Sequence, residues 1–122
     1  MDKQEFKERL AKSEAKYKAM VEVLKKKGFK KYVDWEIIRK IRVYLYNKGH
    51  NIDSTIVEYN NYYSCVIIED YLRTPEGKRG ETISVMVITP EDTEGSAYGK
   101  ADRIIITEHK KFLEEKGEIQ NG

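Results

Sequence analysis

Residues 55–72 read TIVEYNNYYSCVIIEDYL. Two runs rich in β-branched and aromatic residues flank Asn60 and Asn61, which tolerate positive φ and suit a two-residue hairpin turn. The reading is a β-hairpin with strands at about 54–59 and 62–72. Downstream, 81–89 and 102–107 carry the same residue types and predict two more strands, completing a four-stranded antiparallel sheet. The loops between these strands, 73–80 and 90–101, are long for hairpins.

Upstream of the hairpin the period changes. Phe6, Leu10, Tyr17, Met20 and Leu24 recur at spacings of four and three with Ser13 in the one gap, as in a coiled-coil seam, so 3–27 predicts one helix. Gly28 after Lys25, Lys26 and Lys27 suits a left-handed cap beyond cations that favour the negative helix end. The seam can lie along its own domain, the slightly favoured reading, or pair with a second copy of the chain as an oligomer interface. Asp34 predicts the cap of a second helix, 34–48, with Ile37, Ile38, Ile41, Tyr44 and Leu45 on one face and Gly49 as its stop. A strand beginning near residue 41 competes, because residues 41–46 also alternate. Thr107 would cap a short C-terminal helix, 108–116, in which Phe112 and Leu113 pack back, leaving 118–122 as a frayed tail. The expectation is an α+β fold forming a single domain over 1–122: a helical pair, a four-stranded sheet and a last short helix.

With 39% apolar residues, 13 Ile and 9 Tyr, the chain has what disordered sequences lack, despite 36% charge. Cys65 is alone, and no Cys/His cluster shows zinc spacing, so neither a metal nor a cofactor is expected. No apolar segment is long enough to target or cross a membrane, which predicts a cytoplasmic protein. Residues 1–31 hold 11 Lys/Arg against 5 Asp/Glu and form a basic pole, but the overall charge is only +2. That balance, with lysine in place of an arginine-rich stripe, disfavours nucleic acid as a partner.

Motifs for phosphate loops, dinucleotide folds, nucleophile elbows and zinc proteases are absent. His50 and Asp53, three apart, are a weak candidate pair for proton transfer or hydrolysis, with an exposed loop as the plainer reading. His109 reads as a surface histidine and Cys65 as a structural strand residue. Glu69 and Asp70 point to opposite strand faces, and Glu91, Asp92 and Glu94 lack calcium-loop spacing. The two long loops are the better candidates for binding. Arg73, Lys78 and Arg79 make the first cationic, while the second combines Tyr98 with Lys100 and Arg103 among small residues, a mixture suited to a phosphate-bearing ligand. Tyr44, Tyr46, Tyr59, Tyr62, Tyr63 and Tyr71 offer rings for core packing or a protein interface.

These residues point to a non-catalytic, oligomeric binding protein that captures an anionic, nucleotide-type small molecule. A protein-directed inhibitor or adaptor of a host factor is the alternative, and a small hydrolase or nuclease using His50 and Asp53 a further one. In size and composition the chain resembles small accessory and anti-defence proteins of phages and mobile elements in low-GC bacteria, some of which sequester nucleotide signals. That resemblance implies sequestration without turnover.

Overall fold

Asp2 opens the first helix by accepting the Glu5 backbone N–H at 2.7 Å, and Gly28, at φ 94°, lets the chain turn away after it. The computed structural model describes residues 2–117. α1 spans Lys3–Lys26 and α2 spans Trp35–Asn47, where Asp34 caps by accepting the Glu36 N–H at 2.9 Å. Residues 41–46 are therefore helical. Their apolar positions complete the Ile38, Ile41 and Leu45 face, and burying that face outweighs the strand preference of the individual residues.

β1 (Asn51–Glu58), β2 (Ser64–Arg73) and β3 (Arg79–Ile88) form one antiparallel sheet in the order β1-β2-β3. Register places Ile52, Asp70 and Ser84 in one row and Thr55, Ile67 and Val87 in another. The β1–β2 connection is longer than the two residues expected. It spans 59–63 and is tied by the Asn60 side-chain oxygen, which accepts N–H groups from Tyr62 at 2.7 Å and Tyr63 at 3.0 Å. Among the described residues no non-glycine residue has positive φ, so Asn60 makes the turn with its side chain and not with a left-handed backbone.

The expected fourth strand is the main correction. Residues 102–107 belong to a helical run made of α3 (Glu94–Lys100), a six-residue π-helical stretch (Ala101–Ile106) and α4 (Thr107–Glu115). The sheet has three strands, and the C-terminal helix begins at 94 instead of 108. A short apolar run such as 104–106 has no period of its own, and here tertiary burial decides it. Ala97, Ala101 and Ile105 are all fully buried, and the small alanines let the helix lie close to β3. Thr93, within the expected loop, caps α3 with a reciprocal Ser96 bond. The tail 118–122 lies outside the described residues.

The layers follow from burial. α2 and the C-terminal helical run cover one sheet face, with Val33, Trp35, Ile38, Ile41, Leu45, Ile52, Val66, Ile68, Met86, Ile88 and Ile105 in one core. The other face carries Val85 and Val87, 45% and 40% exposed. α1 runs beside the free edge of β1, since Arg9 meets Asp53 near one end and Lys27 meets Glu58 at the other. Its seam is largely used within the chain. Leu24 is buried, Phe6 stacks on Tyr46 at 4.0 Å, Leu10 packs on the core, Tyr17 meets the Trp35 ring, and Met20 alone of the five stays exposed.

Candidate functional site

Arg42 lies on the apolar face of α2, four residues after Ile38 and three before Leu45, so the helix must carry it inward. It is 4% exposed. One guanidinium nitrogen, Nη1, donates to the hydroxyls of Ser13 on α1 and Ser54 on β1, each at 2.9 Å, while Nε has no hydrogen-bond partner among the described residues. Among the described residues no carboxylate lies within ion-pair reach of it. Burial pushes the Arg42 guanidinium below its ordinary pKa, against the attraction of Asp53, and Arg9 adds to the downward push.

Arg42 sits in a cleft of about 470 Å³ between α1 and the free edge of β1. Arg9, Lys16, Tyr17 and Met20 form the helical wall, and Asp53, Ser54, Thr55 and Ile56 form the strand wall. Trp35 also lines the cleft, its indole N–H without a partner among the described residues. Tyr17 donates its hydroxyl to the Val33 carbonyl at 2.5 Å, and burial holds its pKa above the ordinary range. Arg79 also lines the cleft and donates to Asp53 and Glu69 at 2.5 Å each. Four cations thus line the cleft against one carboxylate, Asp53, which Arg79 and Arg9 already engage. The volume falls in the range usual for small-molecule sites.

Of the six loop residues expected to bind, only Arg79 lines this cleft. Arg73 approaches Glu5 at 3.9 Å, and Lys78 lies in the exposed β2–β3 turn. Lys100 braces its own segment by donating to the Val87 carbonyl at 2.9 Å and to Asp92 at 2.7 Å. Tyr98 meets Tyr44 edge-on at 5.0 Å, and Arg103 lies along its own helix beside Gly99. The two segments leave opposite ends of β3, a ten-residue strand that spans about 30 Å. Arg9, Lys16 and Trp35 were not singled out by the sequence. Arg42 had a signal there: an arginine at a core position of an amphipathic helix.

No family model matches the chain, and neither does any curated protein or solved structure.

The histidines are also placed differently from expectation. His50 faces Asp70, not Asp53, with Nδ1 3.3 Å from Oδ2, and His109 Nδ1 lies 2.7 Å from the same oxygen. Neither side chain is at the surface, at 8% and 17% exposure, because the α2–β1 junction and α4 both turn them onto the core face of β2. The hydrolytic pair His50–Asp53 is not formed. Cys65 is buried, and burial raises its thiol pKa, which suits the structural role. Among the described residues no helix is long and apolar enough to cross a membrane.

Proposed function

We propose that the protein is a non-catalytic binding protein for a phosphate-bearing, nucleotide-type ligand seated in the α1–β1 cleft. The observation that carries this reading is Arg42. A guanidinium removed from water without a carboxylate costs several kcal/mol, and two hydroxyl acceptors offset only part of that. A ligand phosphate reaching Arg42, with Arg9, Lys16 and Arg79 around it, would supply the missing counter-charge by charge-assisted hydrogen bonds. Trp35 and Tyr17 offer an aromatic surface and an unused N–H to the less polar part of the same ligand. Self-association is a separate part of the reading and would use surface outside the α1 seam, which is largely spent inside the chain.

Calorimetric titration with nucleoside mono-, di- and triphosphates, inorganic phosphate and a short single-stranded oligonucleotide tests the site, with native mass spectra giving stoichiometry and oligomeric state. One saturable nucleotide site is expected. Lys16→Ala and Arg79→Ala should each weaken it by about 1.5–3 kcal/mol, the range for a lost hydrogen bond to a charged group. Unchanged affinity in both, or no saturable binding to the natural chain, refutes the assignment. Tight binding confined to the oligonucleotide would identify a polymeric ligand for the same cations.

A protein partner is the second reading, favoured by the exposed Val85 and Val87 on the outer sheet face. It predicts that Val85→Lys with Val87→Lys abolishes partner inhibition and leaves the nucleotide titration unchanged. Retained inhibition in that double variant would count against it.

A further inference from the structure

We infer that His50, Asp70 and His109 form a binding site for one divalent transition-metal ion of the zinc class. The three donors come from three elements, the α2–β1 junction, the middle of β2 and the first turns of α4, and their ligand atoms all lie within 4.8 Å of one another. Asp70 is the centre of the argument. It is 0% exposed, its Oδ2 faces both imidazoles, and its Oδ1 has no hydrogen-bond partner among the described residues. Ser84, its register partner on β3, is also buried with an unpartnered hydroxyl. A buried carboxyl group facing two imidazoles is left with an unmet lone pair on Oδ1, and a dication held by all three side chains would use the donor atoms that converge there.

The donor set selects the ion. Two imidazole nitrogens and one carboxylate oxygen suit Zn²⁺, Co²⁺ or Fe²⁺, whereas Ca²⁺ and Mg²⁺ require mostly oxygen ligands. Donors about 2.0–2.1 Å from a tetrahedral ion stand about 3.3–3.4 Å apart. The His50–Asp70 separation, 3.3 Å, already matches, and the His109–Asp70 separation, 2.7 Å, needs His109 to withdraw by about 0.6–0.7 Å. His109 is the more exposed of the two rings and can make that movement. No pair of these residues is closer than 20 positions in sequence, which is why ligand spacing does not betray them.

The test uses the full chain stripped by a chelator and titrated with Co²⁺ and then Zn²⁺. We expect one equivalent of Co²⁺ with the visible absorption of a four-coordinate site, displaced by one equivalent of Zn²⁺, and a raised thermal midpoint. Asp70→Asn and His109→Gln, checked for folding by circular dichroism, should weaken binding by at least about 100-fold. The chain holds only two histidines, so ring resonances of the natural protein give a readout that needs no variant. Both rings must shift together and saturate at one equivalent of Zn²⁺. Saturation without both shifts, equal affinity in the folded variants, or no binding at tens of micromolar Zn²⁺ overturns the site and leaves a metal-free carboxylate–imidazole cluster.

Discussion

Arg42→Met separates a binding arginine from a structural one. Methionine keeps most of the aliphatic stem that packs beside Ile38, Ile41 and Leu45 and removes only the charged head. Two terms oppose each other. Removing a buried guanidinium that has no carboxylate partner relieves a desolvation cost of several kcal/mol. Losing its bonds to Ser13 and Ser54, 2.9 Å each, forfeits about 1.5–3 kcal/mol apiece at most, and both serines line the cleft, where water can take over. The net expectation is a stability between unchanged and about 3 kcal/mol higher, in line with buried charges replaced by apolar residues. For 122 residues, an unfolding entropy of about 2.1 cal/mol/K per residue converts 1 kcal/mol into about 4 °C of Tm. Urea denaturation and calorimetry of Arg42→Met should therefore show a Tm equal to or up to about 12 °C above that of the natural chain. Nucleotide binding should fall by at least tenfold at the same time. A loss of more than about 1.5 kcal/mol with affinity intact would show that Arg42 serves the fold, and the cleft assignment would lose its support.

Glycine substitutions at two positions should diverge. A Cβ at Gly99, inside α3, meets only the mobile end of Arg103 at 2.9 Å, so Gly99→Ala should gain up to about 1 kcal/mol from helix propensity; at Gly80 it meets the Leu72 carbonyl oxygen at 2.8 Å, so Gly80→Ala should cost about 1–3 kcal/mol. Parallel urea melts check both. The Asp92 carboxyl gives a pH test: burial raises its pKa, but Lys100, the Thr89 N–H and the Ser96 hydroxyl together hold it below the ordinary 3.8. A depressed carboxylate stabilises the fold above its unfolded pKa, and that stability is lost as pH falls through the folded value. Asp92→Asn should consequently lower stability near neutrality by about 1–3 kcal/mol and flatten the fall below about pH 4. An acid limb as steep as the natural one would refute this.

How far the sequence could be read depended on whether the signal was local. Asp34 and Gly28 mark their helix boundaries because caps act on the nearest turn, and the β1–β2 and β2–β3 pairings follow from β-branched runs separated by turn residues. Residues 102–107 failed because Ile104, Ile105 and Ile106 favour a strand in isolation, while the surface that buries them is built from α2 and β3, far away in sequence. The cleft was hidden for the same reason: Arg9, Arg42 and Arg79 meet only after α1 is laid beside β1. The loop cations Arg73 and Lys100 have carboxylates beside them inside the chain, Glu5 and Asp92, which loop composition does not reveal. Asp70 looked like one half of a divided carboxylate pair, and nothing near it in sequence indicated two imidazoles.

The π-helical stretch has a bearing on which length changes this chain can accept. Four residues of an α-helix overshoot a full turn by about 40°, so a stripe repeating every four residues winds off its contact surface. Ala97, Ala101, Ile105 and His109 repeat at that interval, and all four face the sheet side. The wider turn over Ala101–Ile106 takes up the excess. This stretch sets the angular phase of everything after it. Deleting one residue there would leave a continuous, fully hydrogen-bonded helix and would swing His109 by about 100°. Within 101–106 the exposed positions 102 and 103 can accept other residue types, but a change of count would separate Asp70 from its nearer imidazole.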